Sequence, residues 1–187
     1  MKKILSLLGA MGVVVSASPV AISCSNKSVE KKQATELSYI EGKKDSDFIS
    51  LLKSNSKLHL SNGGNDDTYR KFKLSADEKS LGDDYGDTKN KLFEFGLGES
   101  FSLEGTAMTD FDEHAPLFEQ TKNLKEINYD ENYETFDELN TFTIKGNKGD
   151  TEFKLNYFFI KVKHNKEKGT LELISVENLY FKTIKIS

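Results

Sequence analysis

The chain has 187 residues, with 30 acidic and 26 basic side chains, and it is 36% hydrophobic, 11% aromatic and 30% charged. Those fractions suit a folded domain rather than a disordered tail, and the length argues for one domain or at most a small pair. A formal net charge of −4 argues against a general nucleic-acid binder, because neutralising phosphates takes a basic surface.

Met1-Lys2-Lys3 is a short positive start. Ile4 to Val15 follows as an apolar run broken only by Ser6, Gly9 and Gly12, and Ser16 to Ser23 is small and weakly polar. Positive, apolar and small segments in that order are the layout of a secretory signal. The apolar run is about twelve residues, whereas a bilayer-spanning helix needs roughly twenty, so it reads as a signal core and not a permanent anchor. The signal ends at Cys24, the only cysteine in the chain. A disulfide framework needs paired cysteines, so a lone one at this place points to a covalent lipid.

Ala21-Ile22-Ser23-Cys24 resembles a bacterial lipobox, with Ala21 where that pattern usually carries Leu. The opening Met-Lys-Lys-Ile-Leu-Ser-Leu-Leu-Gly-Ala-Met-Gly, ending in Ile-Ser-Cys, resembles the lipoproteins of wall-less bacteria (mollicutes). The resemblance implies a diacylglyceryl group on the Cys24 thiol, cleavage just before that residue, and a place on the outer face of the cell membrane. It implies no activity. A single arginine, Arg70, among the 26 basic residues, 13 asparagines and no tryptophan look like the same A+T-rich background. The expected organisation is a signal over residues 1–23, a lipidated tether and flexible spacer over 24–35, and one extracellular globular domain over 36–187. Removing residues 1–23 takes away Lys2 and Lys3 and no acid. That leaves 164 residues with 24 basic and 30 acidic side chains, a net charge of −6. Two acyl chains attach such a head stably where one is marginal.

Within the head, Leu37 and Tyr39 suggest a short first strand. Asp45 or Ser46 is placed to cap a short helix across Phe48, Ile49, Leu51 and Leu52. Leu58 and Leu60 begin an extended piece, and Asn62-Gly63-Gly64-Asn65-Asp66-Asp67 is a turn. Residues 69–74 alternate with Phe72 and Leu74 inward. Leu92 to Leu97 and Phe101 to Leu103 are two more strand candidates. Pro116, Leu117, Thr121, Leu124 and Ile127 predict the clearest helix. Tyr129, Tyr133, Phe136 and Leu139 fit either further helical turns or a packed loop. From Thr141 the chain reads as a meander: Phe142 and Ile144, a turn at Gly146 to Asp150, and a strand over Glu152 to Val162. A second turn at His164 to Gly169 is followed by strands at Leu171 to Val176 and Leu179 to Ile186. On the middle strand Phe153, Leu155, Tyr157 and Phe159 share one face, while Phe158, Ile160 and Val162 lend apolar character to the other. The expected fold is mainly β, a two-layer antiparallel β domain with one or two short helices, with an α+β layer fold as the alternative.

Motifs for chemistry are sparse. His59, His114 and His164 stand alone in separate segments, so a zinc site has little support. Asp110, Asp112 and Glu113 beside His114 suit the start of a helix. Asp83, Asp87 and Glu94 fall at calcium-hand positions 1, 5 and 12, but Tyr85 and Thr88 stand where an oxygen ligand and a glycine belong. The expectation is therefore no catalytic, cofactor or metal residue, and Cys24 as the one modified site. Residues 110–138 hold ten acids against Lys122 and Lys125, while residues 139–187 hold nine lysines against five acids, a dipolar surface able to steer a partner. The reading is a non-enzymatic, surface-exposed lipoprotein with an adhesive, antigenic or envelope role. Its partners are membrane lipid through Cys24 and a host or envelope protein, with no nucleic acid. The alternative is a ligand-binding lipoprotein serving a transporter.

Overall fold

The computed structural model describes residues 33–55, 57–60, 68–91, 100–128, 136–165 and 170–186. The signal, Cys24 and the tether up to residue 32 lie outside the described residues. So do the 62–67 turn, the 92–97 strand candidate with Glu94, Tyr129, Tyr133 and residues 166–169.

In chain order the elements are β1 (Thr35–Glu36), α1 (Asp45–Asn55), β2 (Lys57–Leu60), β3 (Thr68–Lys71), β4 (Thr88–Lys91), β5 (Ser100–Leu103), β6 (Thr106–Ala107), α2 (Phe111–His114), β7 (Ile127–Asn128), β8 (Phe136–Lys145), β9 (Glu152–Asn165) and β10 (Thr170–Lys185). The protein is mainly β, with two short helices among the described residues. Its main sheet runs β1-β10-β9-β8-β6, with β7 also paired to β8, while β2-β3 and β4-β5 form separate hairpins. The sheet is mixed rather than wholly antiparallel, because β1 lies parallel to β10.

The meander β8-β9-β10 is the spine. Side chains two apart share a face, and β9 uses both faces. Phe153, Leu155 and Tyr157 join Phe142 and Ile144 of β8 and Ile184 of β10 against Phe48, Ile49 and Leu52 of α1 and Phe111 of α2. Phe158, Ile160 and Val162 point the other way, into a second cluster with Leu103, Ala107 and Leu139. A strand buried on both sides loses the polar alternation of a half-exposed one, which is why residues 157–160 read as a continuous apolar run. Phe159 packs at the margin of the first cluster.

Helix α1 forms where expected. The Lys44 amide donates to the Asp47 carboxylate at 3.0 Å, satisfying a backbone donor just outside the helix. Asp45 does not cap it; its carboxylate accepts the Lys185 amide at 2.8 Å and pins the helix start to the end of β10.

Several elements differ from expectation. The helix predicted from Pro116 is a 3-10 turn over Ala115–Leu117 that ends before Phe118. The following backbone bonds elsewhere: Ile40 donates to the Leu117 carbonyl at 3.0 Å and the Glu119 amide to Ser38 at 2.9 Å. The buried Thr121 hydroxyl closes on Ala115 at 2.8 Å, and Asn140 takes the Lys125 carbonyl at 2.6 Å. A lone i→i−4 bond, from the Lys122 amide to the Phe118 carbonyl at 2.9 Å, is left among these other partners, so the apolar stripe forms turns and not a continuous helix. Phe136 and Leu139 belong to β8, not to a helix or loop. The first strand is Thr35–Glu36, and Tyr39 makes only an isolated bridge to Phe118. The last two predicted strands are one, β10, with irregularities between Leu173 and Ser175 and between Asn178 and Tyr180.

Candidate functional site

Beside the second apolar cluster, the same sheet face turns polar toward the Gly146–Asp150 turn. There Lys145 and Lys154 stand directly across from each other on β8 and β9. Like charges so placed repel. Glu104 sits between them, 3.6 Å from the Lys145 ammonium and 3.4 Å from that of Lys154, and Asp87 approaches Lys145 at 3.1 Å. The result is an alternating row of two carboxylates and two ammonium groups.

Backbone holds this row in place. Gly105 has φ of +91°, and a Cβ there would meet the Ile144 carbonyl oxygen at 2.7 Å, so only glycine lets the Glu104–Thr106 segment press so closely on β8. The Gly105 amide donates to Asp87 at 3.1 Å. Beneath, the buried Thr143 hydroxyl donates to the Glu104 carbonyl, and the buried Asn156 amide reaches the Thr143 hydroxyl at 3.4 Å. Burial alone pushes the Asp87 carboxyl up; the Gly105 amide and Lys145 outweigh it and hold it below the usual carboxylate range. An open recess of about 470 Å³ lies alongside, with Lys145, Lys154, Glu152 and Phe181 in its lining. The Lys154 ammonium stands 5.7 Å from the Phe181 ring centre. An anion entering this recess must compete with Glu104 and Asp87 for ammonium groups already paired.

The acidic loop is committed to the fold. Arg70 lies 4.6 Å over the Tyr85 ring, pairs with Asp83 at 3.0 Å and donates to the Asp84 carbonyl. The Asp84 carboxylate accepts the Lys148 amide at 2.7 Å. Tyr85 is buried, with its hydroxyl accepting the Lys73 amide at 2.8 Å. Each acid of Asp83 to Asp87 thus has a protein partner, and the loop turns Tyr85 inward instead of offering an oxygen cage. Among the described residues no group of three His, Cys, Asp or Glu side chains is placed to hold a metal.

Of the three histidines, the side chains of His59 and His164 lie outside the described residues. His114 is fully buried, edge-on to Phe48 with ring centres 5.2 Å apart. Its Nδ1 lies 3.0 Å from the Asp110 carbonyl oxygen. A carbonyl only accepts, so Nδ1 carries the proton. Burial keeps the ring below its ordinary pKa of 6.5, although Asp110 and, more weakly, Glu113 pull the other way. Within the window between the folded and unfolded values the unfolded chain binds more protons, so stability falls as pH drops below about 6.5. Urea melts at about pH 7.5 and about pH 5.5 should show this fall, and His114→Leu should flatten it; an equal fall in both proteins would assign it elsewhere.

No protein-family model, curated protein or solved structure matches the chain. No helix among the described residues is long and apolar enough to cross a membrane.

The polar row is what sequence reasoning missed. Lys145, Glu104, Lys154 and Asp87 are far apart along the chain, and only Gly105 hinted at a close backbone approach. Cys24, the one residue singled out for modification, lies outside the described residues.

Proposed function

We propose that this is a surface-exposed, lipid-anchored protein of a wall-less bacterium, non-enzymatic, with an adhesive, antigenic or envelope role. The observation that carries the reading is the lone cysteine, Cys24, standing where a positive start, a short apolar run and a small-residue stretch end. Diacylglyceryl-modified Cys24 holds the chain on the extracellular face, and the β head is presented to a host or envelope protein. Both apolar clusters of the head are filled by side chains from the sheet and its cover, which suits recognition by a surface rather than by an interior cavity. The open recess beside Lys145 and Lys154 favours the second reading, a ligand-binding lipoprotein associated with a transporter.

Intact-mass measurement on membrane-fraction protein tests the anchor. The expected mass corresponds to loss of residues 1–23 plus acyl chains, and Cys24→Ala should abolish both changes. Unmodified Cys24 in an uncut chain would end this reading.

A further inference from the structure

The open recess of about 470 Å³ beside the Gly146–Asp150 turn lies on the sheet face that carries Lys154. In the register of β9 and β10, Glu152 stands opposite Lys185, Lys154 opposite Thr183, and Asn156 opposite Phe181. Residues directly opposite in a sheet share a face, as do residues two apart on one strand. Glu152, Lys154, Thr183 and Phe181 therefore stand on the same side of the sheet, and all of them line the recess.

Most charged groups around the recess are already engaged. Lys145 is held by Asp87 at 3.1 Å and by Glu104 at 3.6 Å. The Asp150 carboxylate closes its own turn by accepting the Asn147 amide at 2.7 Å. Lys154 differs: its ammonium has three donors, and among the described residues its acceptor is Glu104 at 3.4 Å. Glu152 is exposed, and among the described residues its carboxylate makes no ion pair or hydrogen bond. A cation short of acceptors and an anion short of donors thus stand two residues apart. The Phe181 ring lies beside them, its centre 5.7 Å from the Lys154 ammonium. A simple anion drawn to Lys154 is repelled by Glu104 and Glu152, and a simple cation drawn to Glu152 is repelled by Lys154. A ligand carrying both charges meets an opposite charge at each end.

We propose that the recess binds the zwitterion of a free, apolar α-amino acid, with its carboxylate on Lys154 and the Thr183 hydroxyl, its ammonium on Glu152 and its side chain against the Phe181 ring. This rests on the ligand-binding reading of the recess and gives that reading a ligand class. Both charges of an α-amino acid sit on one carbon. With charge-assisted hydrogen bonds of about 2.8 Å at either end, it bridges side chains set about 7 Å apart along a strand. A peptide holds its two terminal charges at least about 3.5 Å further apart, a poorer match to Glu152 and Lys154. The Phe181 ring supplies the apolar surface that favours a leucine-like side chain over none.

The test titrates the full chain, carrying Cys24→Ser so that no lipid is involved, with leucine at low salt, and follows saturation transfer to the leucine methyl groups. A Kd of about 0.1–1 mM is expected for so open a site. Leucinamide, without the carboxylate, and N-acetylleucine, without the ammonium, should each bind about tenfold more weakly. Lys154→Gln should weaken leucine about tenfold and abolish its advantage over leucinamide, and Glu152→Gln should abolish its advantage over N-acetylleucine. Phe181→Ala should remove the preference for leucine over glycine, about fivefold in the parent chain and read by competition. Urea midpoints within error of the parent show that the two charge variants keep the fold. Leucinamide or N-acetylleucine binding as tightly as leucine would overturn the proposal while leaving the recess a ligand site. Leucyl-leucine binding as tightly as leucine would overturn it in favour of a peptide. Leucine binding unchanged in both charge variants would overturn it by placing the ligand elsewhere. No binding of any of these compounds would overturn both the proposal and the ligand-binding reading of the recess.

Discussion

Phe153→Ala will cost about 3–5 kcal/mol, a large share of the roughly 5–15 kcal/mol that holds a domain of this size folded. Phe153 is buried beneath both covering segments: its ring lies 6.5 Å from Phe48 of α1 and 5.7 Å from Phe72 after β3. Removing it opens a cavity where helix, hairpin and sheet meet, and three rigid elements cannot all collapse into it. Its neighbour Lys154 faces the other way, and its ammonium reaches the Glu104 carboxylate from a side chain that is 40% exposed. Lys154→Ala should cost less than about 1 kcal/mol, as exposed ion pairs do. Urea melts of the two variants beside the parent chain make the comparison. Equal midpoints for the two would refute the assignment of faces on β9.

The second large effect is deletion of Tyr180 to Ser187. It removes the partner of β1, the Lys185 amide that holds Asp45 of α1, and the buried Ile184 and Ile186. It also takes away the Tyr180 ring, 5.7 Å from that of Tyr157. Large aliphatic residues cost about 2–5 kcal/mol each when truncated in a core, so the combined loss matches or exceeds the whole stability of an ordinary domain. The truncated chain should show no cooperative unfolding transition by circular dichroism. A normal sigmoidal melt would make the end of β10 peripheral, and the order of the main sheet would need another explanation.

The meander was legible because its signals are local. Val, Ile, Phe and Tyr at period two, punctuated by Gly146-Asn147-Lys148-Gly149-Asp150, name two strands and the turn between them. In the structure that turn closes through the Asp150 amide on the Asn147 carbonyl at 3.0 Å, with Gly149 at φ of +93°. The double burial of β9 was also visible, in the adjacent aromatics Tyr157, Phe158 and Phe159. Helix α1 was readable because acids at its start and apolar residues at 48, 49 and 52 agree with each other. The 116–128 stretch misled for the opposite reason. Its apolar spacing suits a helix, but the carbonyls of Ala115, Leu117 and Lys125 are taken by Thr121, Ile40 and Asn140, groups whose approach no local pattern encodes.

By itself the sequence determined the mainly β character, the position of α1, the turn after β8, and the apolar character of both faces of β9. Those follow from periodicity, turn chemistry and composition over ten residues or fewer. Only the tertiary structure decided that β1 lies parallel to β10, that β10 is one strand paired with β9 along its length, and that the acids of the Asp83–Asp87 loop bind Arg70, Lys145 and nearby amides. It alone brought Glu104 between Lys145 and Lys154, and sealed His114 against Phe48. Each of these joins groups distant along the chain, and their meeting depends on how whole elements pack, because the energy of a salt bridge or a buried ring exists only once the backbone has brought its partners together.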